Sequence, residues 1–441
     1  MLRDQFTSER KTQDVIDTTA ELENTTEASI ELFALFLRFV AEKLASEPQS
    51  SAAHTALLLI ALKHFTSSYL SEQDLHKVVT AFDTDVRKTV LTSYYFALAT
   101  LEEKGVSVPR APASALLEAA KDGQTSIYAL FGGQGTNEVY FDELQTLYDV
   151  YKPYVAPFIS TITQNVFLPL SAAYASTNYY AYGLDVLSWL TGAIERPPVA
   201  YLASIPISYP LIALTQLVQY LVVYRVANIT PDELRKRLSG ATGHSQGLGS
   251  AIAIAASTTH KSFLENTEKV LTWSFFSALR GQEAFPLLSL EPSIIKDSID
   301  GGEGTPSPML SVAGLLLKDL ERHIKKTNEH LPENSQLHVS LHNGSKAFVV
   351  TGPARALWGL VTSLRKVKAP SGLDQSKVPF SQRKPVFTVR FLVVNVPYHS
   401  KYLEGLTEKV YQDMGGEELW TQADLSIPVY NTEDGTPHCS F

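Results

Sequence analysis

At 441 residues the chain is long enough for a large buried core and for two or three domains or subdomains. Its net charge of −9, without a basic stripe, argues against nucleic acid as a partner. A single cysteine, Cys439, excludes an intrachain disulfide framework and fits a reducing cytosol, and the polar start Met1-Leu2-Arg3-Asp4-Gln5-Phe6 does not read as a signal peptide.

Residues 1–125 read as a helical N-terminal region. Leu32, Phe33, Leu35, Phe36, Leu37, Phe39, Val40 and Leu44 form a broad apolar face, and similar patterns recur over 56–65 and 90–101. Nothing in this region looks chemical, so a scaffold or docking role is the expectation. From Ser126 strand and helix patterns alternate, which predicts a parallel sheet with helices on both faces over residues 126–305. Its first strand, Ser126–Leu130, leads into the glycine-rich turn Phe131-Gly132-Gly133-Gln134-Gly135.

No charge occurs between Arg196 and Arg225, a stretch long enough to cross a bilayer. Pro197, Pro198, Pro206 and Pro210 interrupt it, so it reads as a loop followed by a buried helix starting near Pro210, and no membrane partner is expected. Then comes Gly243-His244-Ser245-Gln246-Gly247, the pattern of a nucleophile elbow. Glycines flank the serine because a Cβ at either position would strike the crossing backbone. The small-residue run Leu248–Ala256 predicts the helix whose N-terminus would face an oxyanion.

The Gly/Pro-rich run Gly301–Pro308 reads as a linker into a subdomain over residues 306–370. There the order is strand Met309–Val312, helix Leu315–His330, strands Leu337–Leu341 and Ala347–Val350 about an Asn343-Gly344 turn, and a helix from Arg355 to Lys366. This β-α-β-β-α order predicts a ferredoxin-like unit inserted in the larger one. Residues 371–441 return to the core. They carry the apolar segment Phe391–Val396 and then Pro397-Tyr398-His399-Ser400, which puts a histidine at an expected strand end. His399 is a candidate general base for Ser245. No internal repeat, low-complexity tract or long charge run is present.

Three of these segments, the glycine-rich turn, the serine elbow and the Pro-Tyr-His-Ser run, together resemble the acyltransferases that load acyl groups from coenzyme A onto carrier proteins. Longer stretches, Gly240–Leu248, Ser204–Ser208, Pro306–Ser311 and Lys368–Ser376, are similar to the acetyltransferase domain of fungal type I fatty acid synthase β subunits. The resemblance runs from about Ser126 to the C-terminus and more loosely through the N-terminal part. It implies an α/β acyltransferase fold with an α/β-hydrolase-like parallel-sheet core.

The same resemblance implies a Ser245–His399 dyad, with backbone N–H groups of Gln246 and Gln134 as oxyanion donors. His399 would be oriented by a backbone carbonyl from a later segment. The substrate would be acetyl-CoA or another short acyl-CoA, and the acceptor the phosphopantetheine of an acyl carrier domain. No bound cofactor or metal is called for, and the α subunit of the synthase is the implied partner in the cytoplasm. Malonyl-loading relatives clamp the free carboxylate with an arginine. Here Ser277 falls at that position and Arg280 one turn on, so a plain acyl group is expected unless Arg280 enters the pocket. His244 would steady the elbow or border the CoA site. Asn343 resembles a position close to the active site, and a left-handed turn residue explains it equally. Arg383 and Lys384 are candidates for CoA phosphates or for the carrier domain's acidic surface, and a solvated loop explains them equally.

The resembled domain continues past Phe441 with a further strand, so the chain reads as a fragment. Two other readings stay open at this level. One is a serine esterase or thioesterase, which needs an acid such as Asp374 between Ser245 and His399 in chain order. The other is an inactive remnant with a scaffold role.

Overall fold

The described residues of the N-terminal region are mostly helical for the reason their apolar spacing gives. The helix α1 (Thr26–Ser46) buries Ile30, Ala34, Leu37, Ala41 and Leu44, one stripe at intervals of three and four. It packs with α2 (Ser51–Phe65) and α3 (Thr84–Glu103) around a core that also takes Val150 and Tyr154 from the next region. The computed structural model describes residues 5–8, 26–46, 51–70, 73–108, 114–135, 137–286, 289–370 and 372–437. Cys439, Ser371 and residues 1–4 lie outside the described residues.

The α/β core begins with β1 (Ile127–Phe131), followed by α4 (Tyr140–Ile162), which bends at Tyr151 just before Pro153. Pro153 has no N–H to continue the ladder, and the kink falls where that bond is missing. Next come α5 (Ile205–Val226), β2 (Leu238–Gly243), α6 (Gly247–Ala255) and α7 (His260–Ala284). β1 pairs parallel with β2, and β2 pairs parallel with a later strand, Val429–Tyr430.

The uncharged stretch corrects one expectation. Its helix starts at Ile205 rather than near Pro210, with Pro206 in the first turn and Pro210 inside the second. Pro206 suits a first turn, and Pro210 removes only the bond that would go to the Pro206 carbonyl. Among the described residues α5 is the helix long and apolar enough to cross a membrane, but it is mostly buried within the protein. It packs against α4 and α7 with Leu211, Leu214, Val218 and Leu221 fully buried.

The second sheet is built from β3 (Met309–Ala313), α8 (Leu317–Asn328), β4 (His338–Gly344), β5 (Ala347–Thr351), α9 (Ala354–Val367) and β6 (Thr388–Phe391). Its strand order is β4-β5-β3-β6, all antiparallel, which is the ferredoxin-like order. The sheet therefore takes its last strand from beyond residue 370. The Gly301–Pro308 run is an ordered turn and not a loose tether. Glu303 is buried within it and pairs with Arg365 on α9 through two contacts of 2.9 and 2.6 Å. The chain then returns through α10 (Leu406–Asp413) to β7 (Val429–Tyr430), which closes on β2. The architecture is α/β: a parallel core sheet, an inserted ferredoxin-like subdomain and a helical N-terminal region.

Candidate active site

The end of β2 and the start of α6 make a turn so tight that side chains are excluded at its flanks. A Cβ on Gly243 would sit 2.0 Å from the Gly247 carbonyl carbon, and one on Gly247 would sit 2.4 Å from the Phe131 carbonyl oxygen. Ser245, between them, takes a left-handed φ of 56°. A serine holds that conformation only when its surroundings impose it. The strand end of β1 lies directly on this bend, since His244 N donates to Phe131 O at 2.9 Å. Gly133 continues the contact: a Cβ there would lie 3.2 Å from the Ser245 Cβ.

Opposite the serine, His399 places Nε2 2.8 Å from Ser245 Oγ. The expected strand end is corrected here. The strand before it, β6, stops at Phe391 and belongs to the subdomain sheet, while 392–397 run without strand pairing into the bend. Val394 and Val396 are apolar because they are buried against Ile205, Tyr209 and Ala278, not because they are in a sheet. His399 itself has φ 61°. Burial, and secondarily the neighbouring His244, hold its imidazole below the usual histidine range. It is therefore neutral near pH 7 and ready to accept a proton from the serine.

Backbone donors lie beside the pair. Among the described residues neither the Gln246 N–H nor the Gln134 N–H has an acceptor. Gln246 N lies at the positive end of α6. Two unsatisfied amides next to a nucleophile make the arrangement expected for holding an oxyanion.

Residues 129–385 match the family described as starter unit:ACP transacylase in aflatoxin biosynthesis. The chain belongs to the starter unit:ACP transacylase family. Residues 1–101 match the N-terminal domain in fatty acid synthase subunit beta. The chain is 40% identical over 438 residues to a fatty acid synthase subunit beta of Schizosaccharomyces pombe, covering 98% of this chain and 20% of that one. It is 39% identical over 423 residues to that of Saccharomyces cerevisiae, covering 95% and 20%. The chain thus spans about a fifth of the length of the curated relatives it matches. Among solved structures it is similar to the malonyl CoA-acyl carrier protein transacylase of Coxiella burnetii, at 15% identity and a TM-score of 0.45 over 71% of this chain and 75% of that one.

In this starter unit:ACP transacylase chain the other expected residues separate into two groups. His244 Nε2 lies 3.2 Å from Asn343 Oδ1, so the elbow and the subdomain hairpin meet at the site. Asn343 is not the left-handed turn residue expected, because β4 runs on through Gly344 and the turn falls at Ser345-Lys346. Ser277, on α7, is 6% exposed and lines a cavity of about 490 Å³ with Tyr209, Trp273, Tyr398, Val410 and Trp420. Its carbonyl accepts from the Tyr398 hydroxyl at 3.4 Å, which ties this wall to the residue preceding His399.

Arg280 belongs to the second group and corrects an expectation. Its guanidinium clasps Asp413 on α10 through Nε and Nη2 at 2.7 and 2.8 Å, reaches Glu283 at 2.7 Å, and lies over the Tyr174 ring. Every edge is engaged away from the cavity, so it is a helix-to-helix brace and not a carboxylate clamp. Arg383 and Lys384 are likewise occupied, by the carbonyls of Val378, Ser376 and Lys366. Asp374 is exposed and caps Ser376 N, and among the described residues no carboxylate bonds to His399. Sequence reasoning gave no role to Asn137 or Ser208, both buried beside the glycine-rich turn. Their signal was faint: one polar residue two places after Gly135, and one of several hydroxyls on a largely apolar helix.

Proposed function

We propose that this chain transfers a starter acyl group, with acetyl as the first candidate, from acyl-CoA to the phosphopantetheine thiol of an acyl carrier protein. The observation that carries the reading is the 2.8 Å approach of Ser245 Oγ to His399 Nε2 without a carboxylate partner for the histidine among the described residues. An esterase of the Ser-His-acid type would need that acid. Family membership supports acyl transfer over hydrolysis.

The chemistry follows from the atoms in place. Ser245 Oγ attacks the thioester carbonyl carbon while His399 Nε2 takes its proton, and the oxygen gains charge beside the amides of Gln246 and Gln134. The carbon–sulfur bond then breaks, and the departing CoA sulfur receives the proton from His399. In the second half the pantetheine thiol gives its proton to His399 and attacks the Ser245 ester. Ser245 recovers the proton as its oxygen leaves. Each half is the reverse of the other in form, as thiol-to-thiol exchange requires. We place the chain within a fungal fatty acid synthase β subunit, acting with an α subunit in the cytoplasm.

Intact mass spectrometry after brief exposure to acetyl-CoA, hexanoyl-CoA and malonyl-CoA tests the reading. A single acyl adduct in the parent and none in Ser245→Ala supports it. Hydrolysis of acyl-CoA with no transfer to pantetheine thiol would overturn it.

A further inference from the structure

The glycine-rich turn needs an anchor that its own backbone does not supply. Gly132, Gly133 and Gly135 leave it with few conformational restraints. Gly132 O accepts from Gln216 Nε2 at 2.8 Å, but among the described residues 133–138 make no backbone–backbone hydrogen bond. Yet Gln134 must stand at a fixed distance from Ser245 if its N–H is to meet an oxyanion.

Side chains fill that gap. Gln134 Nε2 donates to Gln246 Oε1, which joins by their side chains the two residues whose backbone amides are unsatisfied. Gln134 Oε1 accepts from Asn137 Nδ2 and from Ser208 Oγ, the latter at 3.4 Å. Asn137 Oδ1 accepts from Gly135 N at 3.0 Å, and its Nδ2 also reaches Ser208 Oγ at 3.0 Å. Gln246 Nε2 reaches the Tyr209 carbonyl at 3.5 Å. Asn137 and Gln246 are each 1% exposed, and Ser208 is fully buried on α5. The network thus runs from the elbow through the turn to the core helix and closes on itself. Buried amides in such a network hold one geometry, because any shift leaves a polar group without a partner.

We propose that Gln134, Asn137 and Gln246 are positioning residues: their side chains form a clasp that sets the spacing of the two oxyanion donors across Ser245. The inference rests on the acyl-transfer reading for its substrate but not for its test. A serine activated in this way is expected to react with a fluorophosphonate, whose phosphoryl oxygen would use the same donors. Labelling by that probe therefore reports on the clasp even if acyl-CoA is not the substrate.

The variants are Gln134→Met, Asn137→Ala, Gln246→Met and the pair Gln134→Met with Gln246→Met. Limiting single-turnover acetylation and fluorophosphonate labelling are measured with the thermal midpoint and the concentration dependence on acetyl-CoA. Each single variant is expected to slow the limiting rate of both reactions roughly ten- to hundredfold. Half-saturation by acetyl-CoA and the acidic limb set by His399 stay where they are. The pair is expected to be no slower than its worse member, since one broken link already frees the turn. Rates within about twofold of the parent in folded single variants overturn the proposal, as does a loss confined to half-saturation or a multiplicative loss in the pair. Should Asn137→Ala fail to fold, Gln134→Met, at a half-buried position, carries the test. If acetyl-CoA fails in the parent while labelling succeeds and shows the same pattern, the substrate reading falls and the clasp stands.

Discussion

Ser245 and His399 stand 154 positions apart in the chain, 2.8 Å apart across the cleft, and share a left-handed backbone at φ 56° and 61°. Among the described residues the other two such non-glycine positions are Asn178 and Asn228, a residue type that tolerates the conformation. Strain at both members of one hydrogen-bonded serine–histidine pair is what a site built for geometry shows. On each side the cause is visible: the elbow is pinned by Gly243 and Gly247, and the histidine follows the buried Val394-to-Tyr398 segment.

The neutral state of His399 sets the pH response. Its imidazole lies below the ordinary histidine value of 6.5, first through burial and then through His244. The base form is present above that lowered value, and acylation is lost as pH falls through it. His244→Gln removes the repulsion while leaving an amide to meet Asn343, so the acidic limb should move to higher pH. Single-turnover acetylation from pH 4.5 to 8 checks this, and a limb that moves down or stays in place would sink the assignment.

Gly133 and Gly247 should fail in different ways. A Cβ on Gly133 would stand 3.0 Å from the His244 ring and carbonyl oxygen, close enough to push the turn by a few tenths of an ångström. Gly133→Ala should therefore fold normally and acylate about tenfold more slowly. A Cβ on Gly247 meets fixed backbone at 2.4 and 2.7 Å, so Gly247→Ala should destabilise the protein by about 1–3 kcal/mol. Thermal unfolding beside acylation rates separates the two.

How much of this was legible follows from range. The elbow and the glycine-rich turn could be read because steric need acts over five residues. The ferredoxin-like order could be read because each element carries its own periodicity. His399 was found from its neighbours, yet its strand was misassigned, since Val393 to Val396 look the same whether buried in a sheet or in a loop. The clasp joins residues 71 and 112 positions apart, and no local pattern announces such a contact. Pro210 inside α5 shows the reverse case, where tertiary burial overrides a local breaker.

Ser277 shares its cavity with Glu417 and Glu418, the charged residues on that lining. It is buried on the cavity wall, and among the described residues that line this cavity there is no arginine or lysine to meet a carboxylate. Malonyl-CoA should be a poor donor for the parent chain. Ser277→Arg supplies a fork that matches a carboxylate, and should shift the malonyl-to-acetyl ratio by about tenfold or more, at some cost in stability from overpacking. Competition between the two thioesters, read as adduct masses, gives the ratio. A parent that prefers malonyl would show that another cation serves the site.

Arg280 supplies the matching control, because it sits three residues from Ser277 on the same helix but faces another way. Its side chain is 21% exposed and that of Asp413 16%, so the pair is largely withdrawn from water. Removing the guanidinium leaves Asp413 and Glu283 facing each other without a cation, and Arg280→Ala should lose about 3 kcal/mol. Arg280→Lys keeps the charge but not the two-point grip, and should fall between. Neither should alter the choice between acetyl and malonyl groups. Denaturant unfolding and the adduct ratio measure the two effects separately. A changed ratio with unchanged stability would mean that Arg280 reaches the pocket after all. The brace between α7 and α10 would then be a resting contact that substrate displaces.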